Sequence, residues 1–291
     1  MRAELVDPSL VSDLLEEAAD ALLSHPGRRG GSVHLPDSGR LLVTGDIHDH
    51  PVHFDRIRSF SRLERPDQHV VLHELIHGDR LVNGVDLSYR MLAKVAWLVT
   101  RHPEQVHPIL ANHELAQAFR QPLSKGAGEN VSLFDAGLEW AVGDDAQTVA
   151  DSIESFVRAM PLALRCANGA MVSHSLPGPY SMPRFDPGVL ERDLVDADYV
   201  ANSGSAWMMV WGRGQTPEQV EQLASRWNVE LFLAGHMRAD AGVDVVGPRL
   251  VILNSDHEGA VVLPMDLSKP PPRAEECPFQ VVPVASLEAL T

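Results

Sequence analysis

Apolar residues along the 291-residue chain recur in two patterns. One has helical spacing. Over residues 7–24, Leu10, Leu14, Leu15, Ala18, Leu22 and Leu23 share a face, with Asp7 placed to cap and Pro8 at the first helical position. The stretch from Leu87 to Val99, with Pro103 beyond it, repeats the pattern. So does Ala146 to Met160, where Val149, Ile153, Phe156, Val157 and Met160 line one side. Residues 214–228 read as a further helix, with Thr216 capping and Pro217 in its first turn. The second pattern is a short run rich in branched residues, which suits a buried strand. Residues 41–44, 70–72, 106–110, 170–173 and 231–234 carry it, and VDVV, LVILN, AVVLP and FQVVPV return to it from residue 243 onward. Strands alternating with helices predict an α/β protein. Residues 25–39, with Pro26, Gly27, Gly30, Gly31, Pro36 and Gly39, read as a loop. Residues 121–130 (QPLSKGAGEN) read as another, either a lid or a plain surface excursion. The tract Lys269 to Arg273 (KPPPR) predicts a surface segment between the last strand and the body.

Five of the apolar runs end in polar residues able to bind metal. Residues 41–44 lead into Gly45-Asp46-Ile47-His48, and residues 70–72 lead into His73-Glu74. Residues 106–110 lead into Ala111-Asn112-His113-Glu114, residues 170–173 into His174, and residues 231–234 into Gly235-His236. In open α/β sheets, sites form beyond the carboxyl ends of strands, so five such ends are placed to converge. Composition adds weight to this. The chain has 14 histidines, six of them between His48 and His77, and histidine is both a metal ligand and the near-neutral acid–base group. Lysine plus arginine is 24 against 40 for aspartate plus glutamate, a formal charge of −16. That sign disfavours nucleic acid and anionic membrane as partners, without precluding a locally positive site. Cys166 and Cys277 make neither a disulfide framework nor a zinc module. The opening MRAELVDPSL lacks the apolar core of a signal peptide, and no run approaches the ~18 apolar residues of a membrane span. A reducing, cytoplasmic setting is expected.

Taken singly, each strand-end group has a plain structural reading: a turn carboxylate, a helix cap at Asn112, a lone structural histidine. Taken in order, they resemble the metallophosphoesterase, or calcineurin-like phosphoesterase, superfamily, and within it the serine/threonine protein phosphatase branch and its bacterial relatives. The family string is GDxHG, GDxxDRG, GNHE, a strand-end histidine and Gly-His. Here it reads Gly45-Asp46-Ile47-His48-Asp49, a deviant second block, Ala111-Asn112-His113-Glu114, Ser173-His174 and Gly235-His236. The stretch FVRAMP (residues 156–161) resembles the family's helix leading to the strand before the first late histidine, and the likeness covers roughly residues 40–260.

The resemblance implies a four-layer αββα sandwich of two packed mixed β-sheets over residues 41–268. Residues 1–40 would be an amino-terminal helix and loop, and residues 269–291 an extension packed on the same domain. It implies hydrolysis of a phosphate ester, on a small molecule or a phosphoprotein, at two divalent transition-metal ions. Mixed nitrogen and oxygen ligands suit manganese, iron or zinc. Asp46 and His48 would hold the first ion and Asn112, His174 and His236 the second, with one carboxylate bridging. A hydroxide between the ions would attack phosphorus, and His113 would protonate the departing oxygen. Arg213, in Trp211-Gly212-Arg213-Gly214, would grip the phosphoryl oxygens, or else is a surface arginine in a glycine loop.

The second block departs from the family. It reads from His69 to Arg80 as HVVLHELIHGDR. Glu74, just past the strand and 28 residues after Asp46, is the preferred bridging carboxylate; Asp79, with Gly84 as the closing glycine, is the alternative. His77 then stands where the family has the aspartate that orients the catalytic histidine, with Asp79 as the other choice. Arg80 would replace a displaced phosphate-binding arginine, or else be a solvated charge paired with Asp79. Asp49 and Ala111 replace family glycines. Two other functions compete. His73-Glu74-Leu75-Ile76-His77 matches the HExxH helix of zinc proteases, although Gly78, Asn83 and Gly84 interrupt any long helix there. The broken second block also fits a decayed phosphatase scaffold acting as a binding module. Substrate identity and oligomeric state are not set by the sequence.

Overall fold

The computed structural model describes residues 7–122, 124–125 and 128–288. Helix α1 (Pro8–Leu23) opens it, capped by Asp7, whose carboxylate accepts from the Ser9 backbone N at 3.1 Å. Two short strands follow, β1 (Arg28–Arg29) and β2 (Ser32–Leu35), so the loop expected over residues 25–39 is in part a hairpin. Gly30, at φ 55°, makes its turn. Then β3 (Arg40–Asp46), α2 (Pro51–Ser61), β4 (Gln68–His73), α3 (Tyr89–Arg101) and β5 (Val106–Pro108) form successive parallel crossovers. Helix α4 (Asn112–Ala118) leads to a ribbon of β6 (Ser124–Lys125) and β7 (Gly128–Glu129), then to α5 (Asn130–Val142) and α6 (Ala146–Ala159). The expected loop over residues 121–130 is thus in part a ribbon, while Leu123, Gly126 and Ala127 lie outside the described residues. The remaining elements are β8 (Ala163–Cys166), β9 (Ala170–Ser173), α7 (Ser205–Trp211), α8 (Pro217–Trp227), β10 (Leu231–Ala234), β11 (Val243–Val246), β12 (Leu250–Leu253), β13 (Val261–Asp266) and β14 (Val282–Pro283).

The strands form two mixed sheets, β14-β13-β3-β4-β5 and β1-β2-β8-β9-β10-β12-β11. Strand periodicity assigns the layers. Leu41 and Val43 of β3, Val71 of β4, Leu263 of β13, Val172 of β9, Leu231 and Leu233 of β10, and Val251 and Leu253 of β12 belong to one buried cluster drawn from both sheets. Their neighbours one residue along, Leu42, Val70, Leu72, Val262, Met171, Phe232, Leu250 and Ile252, belong to a second cluster with the apolar faces of the helices. Each central strand is therefore buried on both faces, which is why these runs read as continuously apolar rather than alternating. Two sheets packed face to face with helices outside make a four-layer αββα sandwich. Val11, Leu15 and Leu22 of α1 share the helical-side core, and β2 pairs parallel with β8, so the amino-terminal segment is part of the same body. At the other end, the KPPPR tract lies at the surface, and Ala274 and Cys277 beyond it plug the cluster between the sheets. Among the described residues no helix is long and apolar enough to cross a membrane.

Away from the strand ends that carry the polar motifs, three histidines are packed into the interior. His69 Nδ1 lies 3.2 Å from His107 Nε2 and 3.0 Å from the Glu104 carbonyl, and the His25 ring sits 5.4 Å from that of His107. Burial lowers all three below the ordinary histidine value of 6.5, His107 well below it. The unfolded chain binds protons at these sites as pH falls through 6.5 while the folded chain resists them. Their contribution to stability is therefore complete above that pH and is lost progressively below it. The urea midpoint of unfolding should fall from pH 6.5 to about pH 5, and His107→Phe should flatten part of that fall. An unchanged slope in the variant would refute the assignment.

Candidate metal centre

The expected convergence of strand ends is set up by a bulge in the first of them. Val43 of β3 pairs with Val71 of β4, yet Asp46 pairs with His73, so β3 carries an extra residue between the two pairs. This turns the end of β3 toward the other sheet. Asp46 bridges Asn254 just past β12, its carbonyl accepts from Ser255 N at 3.0 Å, and Gly45 N donates to Ser255 Oγ at 2.9 Å. A Cβ on Gly45 would lie 2.0 Å from the Leu253 carbonyl oxygen, so only glycine permits the approach. The two sheets are sewn together at this point. Across the seam, His236 N donates to both carboxylate oxygens of Asp46 at 3.0 Å. A Cβ on Gly235 would fall 2.1 Å from Asp46 Oδ1.

The second block forms an irregular loop after β4, not a helix. Glu74 and His77 adopt left-handed backbone, at φ 50° and 58°, as do His48 at 45° and His236 at 64°. Such conformations are costly for residues with a Cβ and persist only where the surroundings fix them. Here the Glu74 carbonyl accepts from Ile47 N at 3.1 Å and His48 N at 2.7 Å, and the Leu75 carbonyl accepts from Asp49 N at 2.8 Å. From below, Glu114 Oε1 accepts from Leu75 N at 2.6 Å and Ile76 N at 3.2 Å. The HExxH reading is thereby overturned. His73 and His77 do not lie one turn apart on a helix: His73 Nε2 donates to the Thr44 carbonyl at 2.9 Å, while His77 Nε2 faces Gln117 Oε1 at 3.1 Å.

Held this way, the Glu74 carboxylate points between two sets of donors. Its Oε1 lies 3.3 Å from His113 Nε2 and 3.7 Å from His48 Nε2. Its Oε2 lies 3.1 Å from His174 Nε2, which is also 2.7 Å from Asn112 Oδ1 and 3.1 Å from His236 Nδ1. Asp46 Oδ1 is 3.6 Å from His73 Nδ1 and 3.7 Å from His174 Nδ1. The structure thus brings together Asp46, His48, Glu74, Asn112, His113, His174 and His236. Among the described residues, two three-way groupings of histidine and carboxylate have donor atoms all within 4.8 Å of one another, Asp46–His73–His174 and His48–Glu74–His113. They cut across the expected pairing of Asp46 with His48. Burial pushes His73 down to about 4, His236 down to about 3, and His174 well below the ordinary histidine value, so these rings are neutral and offer lone pairs. Buried carboxylates among neutral imidazoles and an amide oxygen are a donor set that fits divalent transition-metal ions.

The remaining candidates divide. Arg213 is exposed in the loop after α7, and its Nη2 comes within 3.4 Å of His236 Nδ1, at the rim of the cluster. Arg80 is ion-paired at 2.7 Å, but with Asp49 rather than with Asp79. Asp79 is exposed, while His77 is buried with its ring 5.2 Å from that of His113. Gln117 Nε2 donates to Asp135 Oδ1 at 2.9 Å, which fixes the amide with its oxygen toward His77. Two roles are not legible in the motifs. Glu114 stands in the third block and His73 in the second, yet neither is given a part in the phosphoesterase reading. The period-two alternation His69, Val71, His73 is the signal that extends β4 past Leu72.

A calcineurin-like phosphoesterase family model matches residues 39–237 of the chain. No curated protein matches it by sequence. Among solved structures it is similar to a protein serine/threonine phosphatase from Saccharomyces cerevisiae, with a TM-score of 0.63 at 16% identity over 88% of this chain and 82% of that one. It is also similar to a cold-active protein-tyrosine phosphatase from a psychrophilic Shewanella species, with a TM-score of 0.55 at 12% identity over 83% and 78%.

Glu114 offers a test of how the loop is held. Its carboxyl is wholly buried, and burial pushes it up to about 7. Removing the acceptor would leave the Leu75 and Ile76 N–H groups buried without it, at about 1–3 kcal/mol. Glu114→Ala should lower stability by that order in urea unfolding, and Glu114→Gln, which keeps the carbonyl acceptor, should recover most of it. Equal losses in both variants would show that the carboxyl does not anchor the loop.

Proposed function

Because the chain belongs to the calcineurin-like phosphoesterase family, and is thus a phosphoesterase by kinship, we propose that it hydrolyses a phosphate monoester at a pair of divalent transition-metal ions. The observation that carries this reading is the position of Glu74, with one oxygen toward His48 and His113 and the other toward His174 Nε2, the atom that Asn112 and His236 also approach. A carboxylate so placed fits the bridge between two ions, and it favours Glu74 over Asp79 for that role. Asp46 and His48 would hold one ion and Asn112, His174 and His236 the other, as manganese, iron or zinc. When bound, such ions supply Lewis acidity and bring water into the range where it is a nucleophile at neutral pH. The protein's own part is to orient and to move protons. Arg213 orients the phosphoryl oxygens from the rim. His113 gives its Nε2 proton to the departing oxygen, with His77 packed beside it in the place of the family's aspartate. Arg80 is a secondary contact for the phosphoryl group, since Asp49 already engages its guanidinium.

The substrate is a compact phosphorylated molecule or a phosphoprotein side chain, and neither nucleic acid nor membrane is a partner of this acidic chain. Two free, buried cysteines are consistent with a reducing, cytoplasmic setting.

Manganese-loaded protein should turn over p-nitrophenyl phosphate. Asp46→Ala and His113→Ala should each lower the rate by about 10²–10⁴-fold, the range of a lost acid–base group or more, and His113→Ala should still bind two ions. Comparable rates in both variants would reject the assignment. Two bound ions without turnover of any simple phosphate ester would favour a binding module instead.

A further inference from the structure

His73 occupies the position where the family's second block has glycine, and nothing in the reaction above uses it. Its side chain is fully buried, beneath the donor cluster rather than at its rim. We propose that His73 is a positioning residue that accepts the Nδ1 proton of His174, fixing that ring's tautomer and plane so that His174 presents a bare Nε2 to the ion. The inference rests on the metal reading given above.

Backbone carbonyl oxygens only accept, so the 2.9 Å contact with the Thr44 carbonyl requires hydrogen on His73 Nε2. In a neutral ring the lone pair then lies on Nδ1. That atom is 3.0 Å from His174 Nδ1, a hydrogen-bond distance, so the hydrogen between them belongs to His174. His174 is left with its lone pair on Nε2, the nitrogen toward which Asn112 Oδ1, His236 Nδ1 and Glu74 Oε2 converge at 2.7 Å, 3.1 Å and 3.1 Å. One hydrogen-bonded line thus runs from His174 through His73 to the Thr44 carbonyl, its direction set by the carbonyl at its far end.

Two other roles fit less well. Asp46 is less well placed than His73 as the acceptor, because its nearer oxygen is 3.7 Å from His174 Nδ1, beyond hydrogen-bond distance, against 3.0 Å for His73 Nδ1. Nor does His73 fit as a direct ligand to the same ion as His174 Nε2; the grouping of Asp46 with His73 and His174 brings the two Nδ1 atoms together and would leave that Nε2 out. His73 Nδ1 faces the opposite nitrogen of the His174 ring, away from the convergence on Nε2. Metal-bound histidines usually donate their second N–H to a carboxylate, carbonyl or water, and loss of that partner typically costs 10–100-fold in metal affinity. Here an imidazole serves as that partner. The arrangement also needs a glycine at 235, because a Cβ there would lie 2.6 Å from His73 Cε1.

Ring-nitrogen NMR of zinc-loaded, ¹⁵N-histidine-labelled protein tests the tautomers directly. The expected result is hydrogen on His174 Nδ1 and on His73 Nε2, with His73 Nδ1 free of metal. Hydrogen or zinc on His73 Nδ1 would overturn the proposal. Chelator competition on folded variants tests the consequence. His73→Leu should weaken one of two bound zinc ions by about 10–100-fold and leave the other within a few-fold. His73→Asn, whose Oδ1 stands where Nδ1 stood, should recover most of the loss. Unchanged affinity in His73→Leu, or an Asn variant as weak as the Leu variant, would overturn the role of His73 alone. Failure of the native protein to bind two ions would instead overturn the metal reading on which it rests. Should His73→Leu fail to fold, the tautomers in the native protein decide.

Discussion

The Glu74 carboxylate faces imidazoles on both sides, and much of the local irregularity exists to hold it there. A strand could not do so, because its side chains alternate between the two faces of the sheet. The chain instead leaves β4 through left-handed backbone at Glu74 and again at His77, each step costing of order 1–3 kcal/mol. Strain of that size survives only if neighbouring groups leave no alternative. The Glu74 and Leu75 carbonyls take N–H groups from residues 47–49, and Glu114 takes those of Leu75 and Ile76, so the two loops lock each other. Placement of the Glu74 carboxylate is thus a property of two loops and a helix, not of Glu74 alone.

The rest of the donor set is placed by sheet register, which needs less help. β9 and β10 are parallel neighbours, so the residues just past them, His174 and His236, emerge side by side, and Gly235 N donates to the His174 carbonyl at 3.0 Å. Asp46 and His73 are partners across β3 and β4. The two sheets come from distant parts of the sequence, and their relative position is fixed by the apolar layer between them and by the seam from Asp46 to Asn254 and Ser255. A packed interior deforms little. Donor atoms hung from the ends of such strands therefore sit on rigid elements, which suits a metal centre.

What the sequence made legible follows the same division. Helices with local caps were readable, as Asp7 before α1 and Thr216 before α8 illustrate, because the cap and the backbone N–H that donates to it lie within three residues. Strand ends were readable because doubly buried strands give unbroken apolar runs. The short strand β2 was not, since its partner β8 lies well over a hundred residues away and its neighbourhood is full of glycine and proline. The HExxH string was the most misleading feature. Its five residues match a helical motif locally, but the ladder with β3 claims His73, and the left-handed turn at Glu74 ends any helix before it begins. The role of Glu114 was hidden for the reason the bridging position was hard to choose: both depend on a loop whose shape is set by residues elsewhere in the chain.

Charge on two length scales bears on what the site can accept. The chain as a whole carries −16, yet with two divalent ions in place the immediate centre would be positive, since Asp46 and Glu74 offset only part of the ions' charge and Arg213 stands at the rim. At physiological salt, charges beyond about 8 Å are largely screened. A compact phosphoryl group at the strand ends would then experience chiefly such ions and Arg213, and the acidic surface would matter little to it. An extended polyanion does not have that protection. Its further phosphates lie against the remainder of the surface, where aspartate and glutamate outnumber lysine and arginine 40 to 24 and few counterions are released on contact. At the proposed two-ion centre this difference would select by the length of the anion, favouring a single phosphate on a small or locally neutral carrier.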